Sequence, residues 1–379
     1  MTKQQWFAGL GDLGKREAEL IDRCYDTITG NIYTEGEYLW SPYRCTSPCK
    51  SRFDGVWNWD TAFHALGFSR WDTELAKENI TGFFKFQRGD GQLPDVLYED
   101  GRIIFTASKP PFFAWAVQQV YNRDGSKKFL EEMYPALVRN ASFWEKNRSN
   151  GEMFFYDAEN KGQDDYLMFV GFESGWDNSV RWDGNVTDYY PVDLNCFMVM
   201  TYRALSYMAS ELGKDDDSAV WIKKAARLAA LVNERMWDSN NCYYSDLIKS
   251  TGKVSNVLSP ASFMPLFINI ASEEQAECMG KVAVERFKGK MPTVSFDHPG
   301  YSNDYWRGPT WLNVAFFAAK GLKNYGLSVA DTIRENILDM CYNEKDGIFE
   351  NYDSVTGKGL CCSHFSWSAV FIIEFILNW

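Results

Sequence analysis

This sequence of 379 residues has few histidines, no long apolar run and no cluster of basic residues. Its 3 histidines are scattered at positions 64, 298 and 364, which argues against a metal site built from them. No segment approaches the ~18 apolar residues of a membrane span, and the N-terminus lacks the apolar stretch of a signal peptide. Lys and Arg never exceed two in a row and the net charge is −12, which disfavours nucleic-acid binding. We therefore expect a cytoplasmic protein with no metal, cofactor, nucleic-acid or membrane partner.

The cysteines form no recognisable framework. There are 9 of them, an odd number, and the closest spacings are Cys45-x3-Cys49 and the vicinal pair Cys361-Cys362. Reduced thiols are the expectation, and a Cys45–Cys49 disulfide is the alternative that the spacing leaves open. A glycine-rich phosphate loop and a Gly-x-Ser-x-Gly elbow are also missing, which disfavours the nucleotide-binding and serine-hydrolase sites that depend on them.

Aromatic residues are abundant, at 16% of the chain, and 15 of them are tryptophan. Residues 171–182 place two carboxylates, two tryptophans and an arginine around Gly175, in a long insertion without helical periodicity. An indole ring stacks on the apolar face of a sugar ring, and a neighbouring acid can bind hydroxyls or donate a proton. The segment is therefore typical of a carbohydrate site, with a surface turn anchored by a buried tryptophan as the alternative.

Helical periodicity recurs in twelve segments, and the connections between them alternate in length. The segments are 15–28, 60–69, 73–87, 110–122, 126–148, 192–212, 216–237, 260–270, 272–287, 308–324, 328–341 and 363–377. Five connections are very short, and the six near 29–59, 88–109, 149–191, 238–259, 288–307 and 342–362 are long. This alternation predicts an all-α (α/α)6 barrel in one domain, 1–379, whose six long loops meet at one mouth. An irregular helical bundle would not predict it.

Acidic and aromatic residues are concentrated in five of the six long loops, at 52–60, 88–95, 173–182, 302–311 and 346–359. Long loops of a compact domain usually carry function. Glycoside hydrolysis needs one carboxylic acid to protonate the leaving oxygen and a second carboxylate to activate water or attack. Loops that converge on one mouth could hold both with a sugar between them.

Five motifs in this chain resemble those of trehalases and of glycoside hydrolase family 63. They are WDTAFH (59–64), ESGWDNS (173–179), VDLN (192–195), YWRGPTW (305–311) and FENYD (349–353). The resemblance covers the chain from about residue 40 to its end and implies inverting hydrolysis of an α-glycoside on an (α/α)6 barrel. It assigns Asp177 as general acid and Glu350 as general base, although Glu344 and Asp353 share the loop of Glu350. The trehalase glycine-rich segment and an N-terminal β-domain are missing, as in small bacterial members that act on glucosylglycerate or mannosylglycerate.

The residues that we expect to contact the substrate are Trp59, Asp60, Gln92, Trp176, Arg181, Asn195, Trp306, Arg307 and Trp311. The proposed acid and some of these contacts have structural alternatives. Asp177 could be a helix cap or pair with Arg181, and Arg307 could be structural. Trp176 and Glu173 could raise the pKa of Asp177 through burial and like charge. A glycerate leaving group would need a cationic or hydroxyl-rich pocket, for which Arg52, Arg102 and Lys109 are candidates.

The expected partner is a small α-glycoside, cleaved at a glucose or mannose unit, and the sequence does not predict an oligomeric state. Trehalase activity is one alternative. A sugar epimerase or isomerase on the same barrel is another, although those reactions usually use paired histidines. A non-catalytic sugar-binding protein would explain the tryptophans but not two separate carboxylates.

Overall fold

A computed structural model describes residues 2–34, 36 and 38–379 of this largely helical chain. The α-helices within those residues are α1 (Lys3–Ala8), α2 (Lys15–Gly30), α3 (Asn58–Phe68), α4 (Thr73–Phe84), α5 (Phe113–Asp124), α6 (Lys127–Asn147), α7 (Tyr166–Ser174), α8 (Val192–Glu211), α9 (Asp215–Arg235), α10 (Met264–Phe267), α11 (Glu273–Glu285), α12 (Leu312–Asn324), α13 (Val329–Asn343) and α14 (Ser366–Leu377). The 3₁₀ turns are Val180–Trp182, Val186–Asp188 and Pro260–Phe263. The short strands are β1 (Ile32–Tyr33), β2 (Cys45–Thr46), β3 (Gly55–Trp57), β4 (Val96–Tyr98), β5 (Ile103–Ile104), β6 (Tyr189–Tyr190), β7 (Trp237–Asp238), β8 (Tyr243–Tyr244), β9 (Leu247–Ile248), β10 (Phe349–Tyr352) and β11 (Gly359–Ser363).

The helices form two concentric rings. The inner ring consists of α3, α5, α8, α10 with its preceding 3₁₀ turn, α12 and α14, and each packs against the next until α14 returns to α3. The outer ring consists of α2, α4, α6, α9, α11 and α13, each joined to an inner helix by packing or by a short turn. The predicted (α/α)6 barrel is therefore confirmed.

Burial follows the two rings. Every residue of α3 is buried, and α8 is buried on nearly all of its faces, as expected of helices in the centre of the molecule. In contrast, α9 buries a single stripe that includes Trp221, Leu228 and Val232, and its first turn carries Asp215, Asp216 and Asp217. Acidic residues at a helix N-terminus interact favourably with the helix dipole.

None of the described helices combines the length and apolar character needed to cross a bilayer.

Two predicted segments differ from the structure. The third long loop contains helix α7, although no helical period was expected there. Its sequence, YLMFVGFES, is apolar on every face, so hydrophobic periodicity cannot reveal it. The predicted helix at 260–270 is only a 3₁₀ turn followed by the four residues of α10, which contain Pro265. Proline inside a helix removes a backbone hydrogen bond, which fits this shortening.

Short antiparallel pairings join the long loops to one another. Strands β3, β4 and β5 form a sheet between the first and second loops, with Val56 opposite Leu97. Strand β6 of the third loop pairs with β9 of the fourth. An isolated bridge between Thr310 and Tyr352 joins the fifth loop to the sixth, where β10 pairs with β11. Backbone hydrogen bonds thus join the first loop to the second, the third to the fourth and the fifth to the sixth.

Candidate active site

The turn that follows α7 places Asp177 at the centre of the barrel. Helix α7 ends at Gly175, whose φ of 74° lies in the left-handed region that favours glycine. A Cβ atom at this position would lie 2.4 Å from the Trp59 ring, so both the backbone conformation and the available space require glycine. Asn178 then accepts a hydrogen bond from Trp306 N–H (2.9 Å) and donates one to Asp304 (3.0 Å). These contacts fix the third loop against the fifth on the C-terminal side of Asp177.

A cavity of about 520 Å³, partly open to solvent, lies at this point. It is lined by Pro48, Phe53, Trp57, Trp59, Asp60, Lys109, Gly175, Asp177, Tyr305, Trp306, Trp311, Glu350, Phe365 and Trp367. Both predicted catalytic residues and four of the predicted substrate contacts, Trp59, Asp60, Trp306 and Trp311, are therefore brought together. We call this space the inner cavity.

Tryptophan rings form much of the wall of the inner cavity. Trp306 and Trp311 are stacked, with ring centroids 3.8 Å apart and planes inclined by 11°. The ring centroid of Trp367 lies 5.7 Å from that of Trp311 and 5.8 Å from that of Trp59. Among the described residues, the buried Trp367 indole N–H has no hydrogen-bond partner. The wall offers flat apolar faces, which suit a sugar ring.

A second, wider cavity adjoins the first and is lined by both polar and apolar residues. Its lining is Met168, Phe172, Asp177, Asn178, Asn303, Asp304, Tyr305, Asn351, Leu360 and Cys361. Asp177 and Tyr305 line both cavities and therefore stand at their boundary. We call this second space the outer cavity.

Glu350 projects from β10 into the inner cavity and is 4% exposed. Tyr305 donates a hydrogen bond of 2.9 Å from its hydroxyl to Oε1 of Glu350. Burial raises the pKa of Glu350 to about 7, although Tyr305 and the backbone N–H of Cys362 act in the opposite direction. Tyr305 has a φ of 47°, and strained backbone of this kind concentrates at functional sites. Glu350 is thus a carboxyl group that can exchange a proton near neutral pH.

Three further ionisable groups surround Asp177. Burial raises the pKa of Asp177, and the nearby Lys109 opposes this effect. Burial also raises the pKa of Asp60 to about 7 and that of Asp95 to about 6, again against Lys109. The Lys109 ammonium lies 3.5 Å from Oδ1 of Asp95. The site therefore combines several protonatable carboxyl groups with one buried cation.

Arg181, which was predicted to contact substrate, is placed behind the cavity wall. It is 1% exposed and donates to Asp193 (2.7 Å) and Asp246 (2.8 Å), while its guanidinium lies 4.8 Å from the Trp176 ring. The alternative in which Asp177 pairs with Arg181 is therefore not observed. Trp176 is also buried and packs against Trp306, with ring centroids 5.0 Å apart and planes inclined by 40°, without lining the inner cavity.

The remaining predicted contacts hold loops in place. Gln92 is fully buried and donates to the carbonyl of Phe105. Asn195 bonds the backbone of Phe154 through both its amide oxygen and its amide nitrogen. Arg307 forms a bidentate ion pair with Asp183, at 2.6 Å for each contact, which ties the fifth loop to the third. None of these three lines either cavity, so we leave them out of the proposed binding set.

Several other expectations are settled by side-chain partners. Glu173 is fully buried and accepts hydrogen bonds from Arg148 and from two backbone N–H groups, so it does not raise the pKa of Asp177 as expected. Cys45 and Cys49 are both free, and the Cys49 sulfur lies 3.2 Å from the Ser363 carbonyl. All three histidines lie in the described part of the chain and none lines the inner cavity. Within the same residues, no cluster of three or more His, Cys, Asp or Glu side chains has metal-site geometry.

Sequence reasoning assigned no role to Tyr305, although it opens the fifth-loop motif, and none to Trp367. Trp367 lies in the first turn of α14, directly after the sixth loop. Every inner helix begins after a long loop. Aromatic residues in the first turns of these helices could therefore have been predicted to reach the site. The sequence predicts Lys109 only as a candidate to bind the carboxylate of a glycerate leaving group. Of the other two candidates for that role, Arg52 is exposed and Arg102 is paired with Asp100.

Comparison with known proteins identifies the family. The model of the mannosylglycerate hydrolase MGH1-like glycoside hydrolase domain matches residues 54–368. The chain belongs to this family. It is therefore a glycoside hydrolase, related to family 63 and trehalase-like enzymes as its motifs suggested.

Individual relatives agree with this assignment. Mannosylglycerate hydrolase from Rubrobacter radiotolerans is 24% identical to this chain, covering 88% of it and 93% of the relative. Mannosylglycerate hydrolase from Thermus thermophilus is 25% identical, covering 86% and 94%. A solved structure, the family 63 mannosylglycerate hydrolase from T. thermophilus in complex with Tris and D-glycerate, superposes with a TM-score of 0.79. It is 22% identical and covers 95% of this chain and 100% of that structure, which shows a common fold.

Proposed function

We propose that this member of the family hydrolyses a small α-glycoside with inversion, with Asp177 as general acid and Glu350 as general base. The observation that carries the proposal is the position of Asp177 at the boundary of the two cavities. A sugar in the inner cavity and a leaving group in the outer cavity would place their linking oxygen beside Asp177. A general acid must be within hydrogen-bond reach of this oxygen.

The environment of Asp177 suits an acid. Burial favours its protonated form, and an acid must hold a proton at the working pH before it can donate one. Glu350 lies on a different loop, faces the inner cavity alone and has a pKa of about 7. In its ionised form it would remove a proton from a water molecule that attacks the anomeric carbon from the side opposite the leaving group. The hydroxyl of Tyr305 orients this carboxylate.

The sugar would be bound by the tryptophan wall and Asp60. Asp60 begins the buried helix α3 beside Trp59, and it can accept or donate a hydrogen bond because its pKa is near 7. The outer cavity presents Asn303 and Asn351 to a leaving group rich in hydroxyls, whereas the Asn178 amide is already bonded to Trp306 and Asp304. Oδ1 of Asn351 is buried without a hydrogen-bond partner among the described residues, and it can accept from such a group.

We infer that the substrate is an α-mannosyl or α-glucosyl derivative of glycerate. The names of the relatives support mannosylglycerate, and the Thermus structure with D-glycerate supports an acid of this size as leaving group. Trehalose is the alternative, since its leaving group is a second glucose unit. Both leaving groups carry several hydroxyls that could bind the amides of the outer cavity.

A panel of purified α-glycosides tests the proposed function directly. We expect the wild-type enzyme to release free hexose from mannosylglycerate or glucosylglycerate with a higher kcat/KM than from trehalose or kojibiose. Asp177→Asn should release hexose at least about 100-fold more slowly, and hydrolysis that depends on Asp177 would also exclude an epimerase and a passive binding protein. Epimerised product without hydrolysis, or equal release by both enzymes, would contradict the proposal. Trehalose as the best substrate would keep the mechanism but change the leaving group.

A further inference from the structure

Lys109 is the charged side chain of the inner cavity that the proposed reaction does not use. It lies at the end of the second long loop, just before α5, and is 8% exposed. Its ammonium donates a hydrogen bond to the backbone carbonyl of Phe172 and lies 3.5 Å from Oδ1 of Asp95. A lysine this deeply buried loses hydration, so it must be stabilised by the groups around it.

The groups that stabilise it include the proposed acid. Burial alone would lower the pKa of Lys109, but Asp95, Asp177 and Asp60 together hold it above the usual value. The lysine therefore stays charged at neutral pH and faces three buried carboxyl groups from three different segments. The other charged groups near this cluster have their own partners, since Glu173 is bound by Arg148 and Glu350 by Tyr305.

Lys109 also lies at the C-terminal end of the helix that precedes Asp177, where the Phe172 carbonyl accepts a hydrogen bond from the Gly175 N–H as well as from Lys109. The last four carbonyls of a helix lack partners within it, and a cation there is favourable. Helix α7 has no basic residue in its own last turn, and Phe172 lies in that turn. Lys109 supplies the missing cation from another loop. Asp177 follows five residues after the carbonyl that Lys109 binds, across the tight Gly175 turn.

We propose that Lys109 is a positioning residue for the reaction. Its hydrogen bond to Phe172 holds the C-terminal end of α7, and its charge acts on Asp177, with which it lines the inner cavity. The inference rests on the proposed role of Asp177 and deepens it. The charge acts on the acid side of the site, because Lys109 is hydrogen-bonded to the loop that carries Asp177, whereas Glu350 lies on β10 and is hydrogen-bonded by Tyr305. A lysine that merely neutralises Asp95 would have no such one-sided effect on catalysis.

Two substitutions separate the charge from the hydrogen bond. Lys109→Gln removes the charge but keeps an N–H donor on a side chain one atom shorter, and Lys109→Met removes both. Without the charge, the ionised form of Asp177 is less stable, so the acid keeps its proton to higher pH. In Lys109→Gln, the basic limb of the kcat/KM profile should move to higher pH by about one unit or more, as expected for loss of a nearby opposite charge. Its acidic limb, set by Glu350, should move less than the basic limb.

The plateau rate distinguishes the two substitutions. Lys109→Gln should lose less plateau kcat than Lys109→Met, because only the glutamine retains an N–H donor for the end of α7. Tyr305→Phe is the matched control on the other side of the site. It removes the hydrogen bond that lowers the pKa of Glu350, so the acidic limb should move to higher pH while the basic limb stays.

The inference is overturned if the basic limb of Lys109→Gln coincides with that of the wild type, or if both limbs move equally. If Lys109→Met does not fold, as circular dichroism would show, Lys109→Gln alone decides. Failure of the proposed function gives a different result, because Asp177→Asn would then remain active. An inactive Asp177→Asn together with an unmoved limb in Lys109→Gln would reject the role of Lys109 only.

Discussion

Asp177→Asn and Glu350→Gln should each lower kcat by about 10²–10⁴-fold or more while leaving the fold intact. Both changes keep the side-chain volume and remove only the ability to exchange a proton. Asp177 lines both cavities and Glu350 lines the inner one, so both carboxyl groups can contact the substrate. Steady-state kinetics on the best substrate of the panel measure the effect, and circular dichroism checks the fold.

The two roles are distinguished by the leaving group. An aryl glycoside with a good leaving group needs little protonation, so it should partly restore the activity of Asp177→Asn but not that of Glu350→Gln. Equal rescue of both variants would mean that the roles are assigned wrongly.

Asp353→Asn is the control from the same loop as Glu350. Asp353 lines neither cavity, and it accepts hydrogen bonds from the backbone N–H groups of Val355 and Thr356. We therefore expect it to cap a turn and to retain most of the activity on substitution. An inactive Asp353→Asn with an active Glu350→Gln would move the base to Asp353.

Replacing Arg181 should cost stability instead of substrate affinity. Arg181 is 1% exposed and pairs with Asp193 and Asp246, which are also almost fully buried. Removing one partner of a buried ion pair leaves an uncompensated charge and typically costs about 3–5 kcal/mol. Arg181→Met should therefore lower the free energy of unfolding by about this amount, measured by urea denaturation at neutral pH.

Arg307→Met provides the matched comparison. Its ion pair with Asp183 is partly solvent-exposed, and exposed pairs contribute about 0–1 kcal/mol. It should therefore unfold close to the wild type. A stable Arg181→Met with a strongly raised KM would show that Arg181 contacts substrate after all.

These arginines show what the sequence can and cannot reveal about the site. Trp59, Asp60, Trp306 and Trp311 could be predicted because tryptophan and carboxylate residues lie together at the starts of inner helices. Arg181 was predicted wrongly as a substrate contact because it pairs with Asp246, 65 residues further along the chain. No local sequence pattern shows that these two side chains meet. Residue type indicates what a side chain can bind, but its partners are set by tertiary packing.

The same limit applies to the fold. Hydrophobic periodicity locates the individual helices, and the alternation of short and long connections then assigns them to two rings. The pairing of β6 with β9 involves two residues from each of two loops, which is too short for a pattern of alternation. Helix α7 is missed for another reason, since its apolar residues cover all of its faces.

The anomeric configuration of the first product tests the central claim most directly. Inverting glycosidases hold their two carboxyl groups roughly 6.5–9.5 Å apart so that a water fits, whereas retaining enzymes hold them about 5–5.5 Å apart. Proton NMR during the first minutes of hydrolysis of an α-glycoside distinguishes the products before mutarotation equalises them. With Asp177 as acid and Glu350 as base, the β-sugar should appear first. Initial release of the α-sugar would contradict the assignment of Glu350 as a base acting through water.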